Sequence, residues 1–128
     1  MKKEEVIKDW LESAKRDRKT AEILFDNKRH DQCLFYCHLY IEKLLKAVYV
    51  KRLDRHPPYT HKLTKLALKA KLPLDQSRTD QLDEITTFNV EARYDSCKSS
   101  FYKKATLKYT QKYLKISEEL YQWLLSLV

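Results

Sequence analysis

Not one of the 128 residues is glycine. Phosphate-cradling loops and dinucleotide fingerprints need glycine where the backbone approaches a phosphate, so neither is available to this chain. Tight hairpin turns lean on glycine too, which disfavours a hairpin-rich β fold. Leu, Lys, Glu and Ala dominate the periodic segments, as helices prefer. The pattern predicts an all-α chain: an antiparallel up-and-down bundle of four to five helices, three of them long, as a single domain over residues 1–128.

The organising stretch runs from His30 to Arg55. Its apolar residues Leu34, Cys37, Ile41, Leu44, Leu45 and Val48 keep the spacing of one helix face, and Phe35, Leu39, Tyr40 and Tyr49 widen that face. A helix so apolar belongs at the centre of a bundle. Its polar residues His38, Glu42 and Lys46 sit four apart on one ridge, where their side chains can meet. They read either as a hydrogen-bonded histidine beside a Glu–Lys pair or as a polar groove cut into an apolar helix.

Around this centre the spacing predicts a first helix from about Lys3 to Asn27, with Trp10, Ala14, Asp17, Ala21 and Leu24 along one side. Pro57 and Pro58 end the central helix. Thr60 is expected to cap a short helix from His61 to Lys71, and Asp75 or Ser77 a fourth one carrying Leu82, Ile85 and Thr86. Val90 to Ser100 lacks an apolar period and reads as irregular with at most a helical turn. The last helix is expected from Phe101 to Leu127, about 40 Å long, with Tyr102, Tyr109, Tyr113, Leu120 and Trp123 on its core side.

Lys and Arg number 26 against 18 Asp and Glu, a net charge of +8 that favours anionic partners. Cys97 to Ser117 holds six lysines and no acid, whereas Asp75 to Asp95 holds six acids and two arginines. Such segregation points to a partner-facing basic groove or to basic–acidic packing between helices or subunits. Three cysteines, an odd count, suit reduced thiols in a cytoplasm. His30, Cys33, Cys37 and His38 do not make a metal site, because Cys37 and His38 point about 100° apart on a helix. No signal-like apolar segment and no membrane span is present, so the expected location is cytoplasmic.

Five pieces in order resemble the HEPN family (higher eukaryote and prokaryote nucleotide-binding domain). They are Trp10-x3-Ala14-x2-Asp17-x3-Ala21-x2-Leu24, Glu42-Lys43-Leu44-Leu45-Lys46-Ala47, Thr60-His61-Lys62-Leu63, Ala92-Arg93-Tyr94 and the terminal aromatic Trp123. The resemblance covers nearly the whole chain. It implies a helical bundle that pairs into a homodimer, of the small stand-alone type partnered with a minimal nucleotidyltransferase in toxin–antitoxin pairs.

Many relatives of that kind are metal-independent RNA endonucleases. Their motif is an arginine, a histidine after four to six intervening residues, and a tyrosine two further on. Here Arg93 is present, but the histidine positions hold Lys98, Ser99 and Ser100, and no histidine follows His61. Tyr102 falls on the tyrosine position at the longer spacing and is the candidate modification site.

The leading reading is a nucleotide- or RNA-binding module that works with a nucleotidyltransferase and has no strong catalysis of its own. Its phosphate-binding candidates are Arg93, Lys98, Lys43, Lys46, His38 and Glu42, and it needs no metal or cofactor. Two alternatives stand beside it. One is an endoribonuclease toxin using Arg93 in a divergent site, and the other a non-catalytic interaction protein whose charge serves solubility.

Overall fold

The computed structural model describes residues 2–128. These form six helices and no strand: α1 Lys3–Asp26, α2 His30–Leu53, α3 Leu63–Lys69, α4 Gln76–Arg93, α5 Asp95–Lys104 and α6 Leu107–Leu125. The all-helical bundle agrees with the sequence. The division of its C-terminal half does not.

Helix α2 is the axis of the bundle, with Leu34, Ile41, Leu44, Leu45 and Val48 all fully buried. Against it lies α1, whose only buried residues are Ala14 and Ala21. Two small side chains seven apart let the helix backbones approach closely, and larger residues sit at the flanks. The order of contacts gives the direction. Lys3 pairs with Asp54, Trp10 lies beneath Lys46, and Asp17 meets Lys43, so α1 and α2 run in opposite senses. Asp54 closes α2 in the left-handed region at φ 51°, a conformation asparagine and aspartate tolerate better than most residues.

The third helix starts at Leu63, two residues later than its threonine suggests. The Thr60 hydroxyl accepts the N–H of Lys62 in a local turn, and the free Leu63 N–H is taken across the bundle by the Thr86 hydroxyl at 3.1 Å. Asp75 caps α4, accepting from the Arg78 N–H at 2.8 Å.

Val90 to Ser100 is helical, not irregular. Glu, Ala and Arg carry α4 on to Arg93. The chain then breaks at one residue, Tyr94 (φ −99°, ψ 127°), and α5 begins at once. The expected last helix is likewise two. Thr106 accepts from the Tyr109 N–H at 3.2 Å and starts a new helix of 19 residues, so α6 spans about 28 Å and not 40. Phe88 fills the corner so made. It meets Phe101 of α5 at 5.8 Å and Tyr113 of α6 at 5.5 Å, between ring centres. Tyr102, expected in this core, points outward and is 71% exposed.

Among the described residues no helix is long and apolar enough to cross a membrane.

Candidate functional site

The polar ridge of α2 closes on itself. Lys46 Nζ donates to Glu42 Oε2 at 3.0 Å and lies 5.1 Å from the centre of the Trp10 ring. From the loop before α3, His61 Nδ1 donates to Glu42 Oε1 at 2.7 Å, since a carboxylate can only accept. Burial alone would raise the Glu42 pKa. The bonds from His61 and Lys46 outweigh it and hold the carboxyl below its ordinary value.

His38 is fully buried behind this pair. Its Nε2 lies 3.1 Å from the His61 carbonyl, which accepts only, so the ring proton sits on Nε2. Nδ1 is left as an acceptor and faces Asn89 Nδ2 at 3.4 Å. Asn89 Oδ1 in turn accepts from Arg93 Nη1 at 3.3 Å. The result is one directed chain, in which Arg93 donates to Asn89, Asn89 to His38, and His38 to the backbone of residue 61. Burial lowers the His38 pKa, against partial opposition from the His61 carbonyl and Glu42. The neutral ring is the form the chain requires, because an imidazolium would turn a second N–H toward the Asn89 amide.

Arg93 therefore has a neutral amide for a partner. No carboxylate pairs with it among the described residues. It opens into a cleft of about 560 Å³ between the end of α1, the start of α2, α4 and α5. Phe35, Tyr36 and Phe101 give that cleft aromatic walls, Gln32 and Asp31 give it a polar edge, and Lys98 supplies a second cation. The chemistry on offer is a planar apolar surface beside positive charge, which suits a base or sugar carrying a phosphate.

Of the other sequence candidates, Lys43, Lys46, His38 and Glu42 are placed apart from that cleft. Lys43 donates to Asp17 at 2.6 Å, sealing the α1–α2 seam, and Lys46 is spent on Glu42. Asp17 and Glu42 each hold a lysine, and neither pairs with Arg93. Lys98 is tied only loosely, to the exposed Asp95 at 3.1 Å. His38 and Glu42 are interior supports, linked to Arg93 through Asn89 and not through the cleft. Tyr94, next to Arg93 in the chain, is 61% exposed.

Of the six lysines between Cys97 and Ser117, Lys104 reaches Glu84 and Glu91 of α4, so basic–acidic packing within the chain accounts for part of the segregated charge. Tyr109 donates to Glu84 beside it. Cys33 and Cys37 lie in the core.

Sequence reasoning missed the role of Asn89 and the bond from His61 to Glu42. The four-residue spacing of Asn89 and Arg93 was a usable signal. Nothing local joins either to His38, 51 positions from Asn89.

Comparison with known proteins places these features in context. The family described as HEPN domain matches residues 7–127. No curated protein matches the chain. Among solved structures, the crystal structure of TT1696 from Thermus thermophilus superposes with a TM-score of 0.79 at 15% identity, covering 95% of this chain and 98% of that one. At that identity the likeness concerns the fold alone.

Proposed function

Because the chain belongs to the HEPN domain family, we propose that it is a nucleotide- or RNA-binding module whose phosphate site is the Arg93–Lys98 cleft. The observation that carries this reading is the Arg93 guanidinium. It is held by a neutral amide, open to solvent and flanked by aromatic walls. Arg18, by contrast, ties α1 to α6 through a fork to Glu118 at 2.6 Å, which leaves its guanidinium matched. With a single bond to Asn89, the other N–H groups of Arg93 are free for a bidentate grip on phosphate.

The module pairs into a homodimer and works beside a nucleotidyltransferase, in the manner of a toxin–antitoxin pair. The exposed hydroxyl of Tyr102 is the group such a partner would modify. Lys43, Lys46, His38 and Glu42 serve the site from behind, fixing α2 and the loop that carries His61. Catalysis by the module itself is weak, since among the described residues the one histidine joined to Arg93, through Asn89, is sealed from solvent and its Nε2 is committed to a carbonyl.

The endoribonuclease reading rests on the same free arginine, and one experiment separates the two. Mixed tRNA and mRNA are incubated without metal with the wild type and with Arg93→Ala, and retention of RNA is measured in parallel. The proposal expects intact RNA from both, and binding weakened about tenfold or more by Arg93→Ala, the loss of a charge-assisted phosphate contact. Cleavage by the wild type alone would establish the nuclease. Absence of binding and cleavage alike would leave an interaction protein.

A further inference from the structure

The short third helix leaves a large apolar side chain uncovered. Leu63, Leu66 and Ala67 turn inward and are fully buried, whereas Leu68 on the outer side is 55% exposed. Leu68 lies in a groove of about 570 Å³ between α3 and α4, beside Thr64, Thr86 and three lysines, Lys62, Lys65 and Lys69. On α4, Val90 stands one turn beyond Thr86 and is 49% exposed. One exposed leucine is ordinary, but here an apolar strip runs from α3 along α4.

Charge around this groove has one sign. Residues 51–71 hold seven Lys and Arg and a single acid, Asp54, so they carry six of the chain's eight net positive charges. Asp54 itself is paired with Lys3. Lys65 and Lys69 lie one turn apart on the outer side of α3, and Lys62 lies one turn before Lys65. Among the described residues the acids of the facing helix are engaged elsewhere. Asp83, inside the groove, accepts from the Thr64 hydroxyl at 2.5 Å. Asp80 accepts from Gln76, while Glu84 and Glu91 pair with Lys104. The rim therefore keeps its positive field.

Apolar floor and basic rim together decide the occupant. RNA could use the lysines, but among the described residues no aromatic ring lines the groove to stack a base. A second copy, paired face to face about a twofold axis, would set the basic rim against itself. An amphipathic helix with carboxylates beside its apolar stripe answers both features. We propose that the α3–α4 groove docks an acidic amphipathic helix of a partner protein. Its apolar side chains cover Leu68 and Val90, and its carboxylates face Lys62, Lys65 and Lys69. The lysines speed encounter and make it salt-dependent, while the apolar anchors set the residence time. No residue lining the groove lines the Arg93 cleft, so this docking is independent of nucleotide binding there.

The test pans a displayed library of random dodecapeptides against the wild type, with counter-selection on Leu68→Lys. Surviving peptides should carry two apolar residues three or four apart with at least two Asp or Glu beside them. A synthetic copy should lose about tenfold or more in affinity to Val90→Lys and to the double variant Lys65→Glu, Lys69→Glu. Its binding should weaken as salt rises and be untouched by Arg93→Ala. Melting curves establish that each variant is folded, and Val90→Lys serves for counter-selection if Leu68→Lys is not.

No surviving peptide, or survivors that lack acids or ignore the double lysine variant, would overturn the proposal. Retention of an RNA duplex of about 16 base pairs that the double variant abolishes, with no surviving peptide, would make this face a nucleic-acid surface instead. A wild-type dimer that Leu68→Lys converts to monomer would make the occupant a second copy.

Discussion

His38 donates its Nε2 proton to the carbonyl of His61 at 3.1 Å, while the His61 ring returns to the same helix and donates to Glu42 at 2.7 Å. One loop residue is thus fixed twice to α2, by main chain and by side chain. The first bond also decides the tautomer of His38 and hence which nitrogen is left to meet Asn89. The loop after Pro57 and Pro58 and the arginine at the cleft are joined through one imidazole.

That imidazole makes the fold acid-sensitive. Burial lowers the folded pKa of His38 below the ordinary 6.5, so the unfolded chain binds its proton more readily than the folded one. The contribution is complete above about pH 6.5 and is lost as pH falls from there through the folded value. Glu42 adds a second loss of the same sign. Its folded pKa lies below 4.5, and its contribution disappears on acidification below that point. The groups facing His38 are Glu42 and Lys46 on its own helix, His61 from the loop and Asn89 from α4. Urea unfolding between pH 7.5 and 5 should show stability declining below about pH 6.5. His38→Gln should flatten that limb. A pH-independent wild type would mean the ring is not buried neutral.

Packing between α1 and α2 leaves no slack at Ala14 and Ala21, both fully buried. Ala14→Leu or Ala21→Leu should destabilise the chain by about 1–3 kcal/mol through overpacking. Leu44→Ala, at the buried centre of α2, should cost about 2–5 kcal/mol through the cavity it leaves. Thermal unfolding of the three variants checks both figures, and a neutral Ala14→Leu would show that the two helices can separate.

Much of this was readable beforehand, and the physical reasons differ by element. Helix α2 announces itself because apolar residues cover most of its circumference. The ridge of His38, Glu42 and Lys46 follows from spacing alone. What spacing cannot supply is the partner from afar. Asp17 takes Lys43 from 26 positions away, and that bond removes a cation the sequence offers to a groove. The break at Tyr94 turns on the ψ angle of one residue amid good helix formers, so no periodicity marks it. The break at Thr106 carries a signal, a threonine three residues before Tyr109, but Tyr102, Tyr109 and Tyr113 keep a helical spacing across it and read as continuous helix. The same continuity turns Tyr102 toward the core. Once α5 and α6 separate, it faces solvent.

The fork between Arg18 and Glu118 joins α1 to α6 through two bonds of 2.7 and 2.6 Å, with the guanidinium 4.6 Å from the Tyr121 ring centre. Burial raises the Glu118 carboxyl, but the Arg18 bonds reverse this and hold it below its usual value. Both side chains are about a third exposed, so water screens the pair and its worth is about 0.5–1 kcal/mol. Arg18→Lys keeps the charge and loses the fork and the stacking. It should lower stability by most of that amount in urea titrations. An unchanged midpoint would show that charge alone suffices.

Asn89 is the most informative single position, because it touches both the interior histidine and the cleft arginine. Asn89→Ala removes the donor to His38 Nδ1 and the acceptor of Arg93 together. Leaving a buried ring nitrogen unmatched should cost about 1–3 kcal/mol of stability. Arg93, released from α4, should lose its fixed orientation, so affinity for uridine monophosphate should fall although Asn89 does not itself line the cleft. Asn89→Asp separates the two effects. Its carboxylate still accepts from Arg93, so the arginine stays in place, but it satisfies the guanidinium charge and should weaken phosphate binding further. Beside His38 the same carboxylate favours the imidazolium and raises its folded pKa back toward the unfolded value, so the His38 part of the acid limb of stability should shrink or reverse. Isothermal titration with the mononucleotide and urea titrations across pH measure the two independently. Unchanged affinity in both variants would show that Arg93 orients itself, leaving the His38–Asn89 chain a structural feature alone.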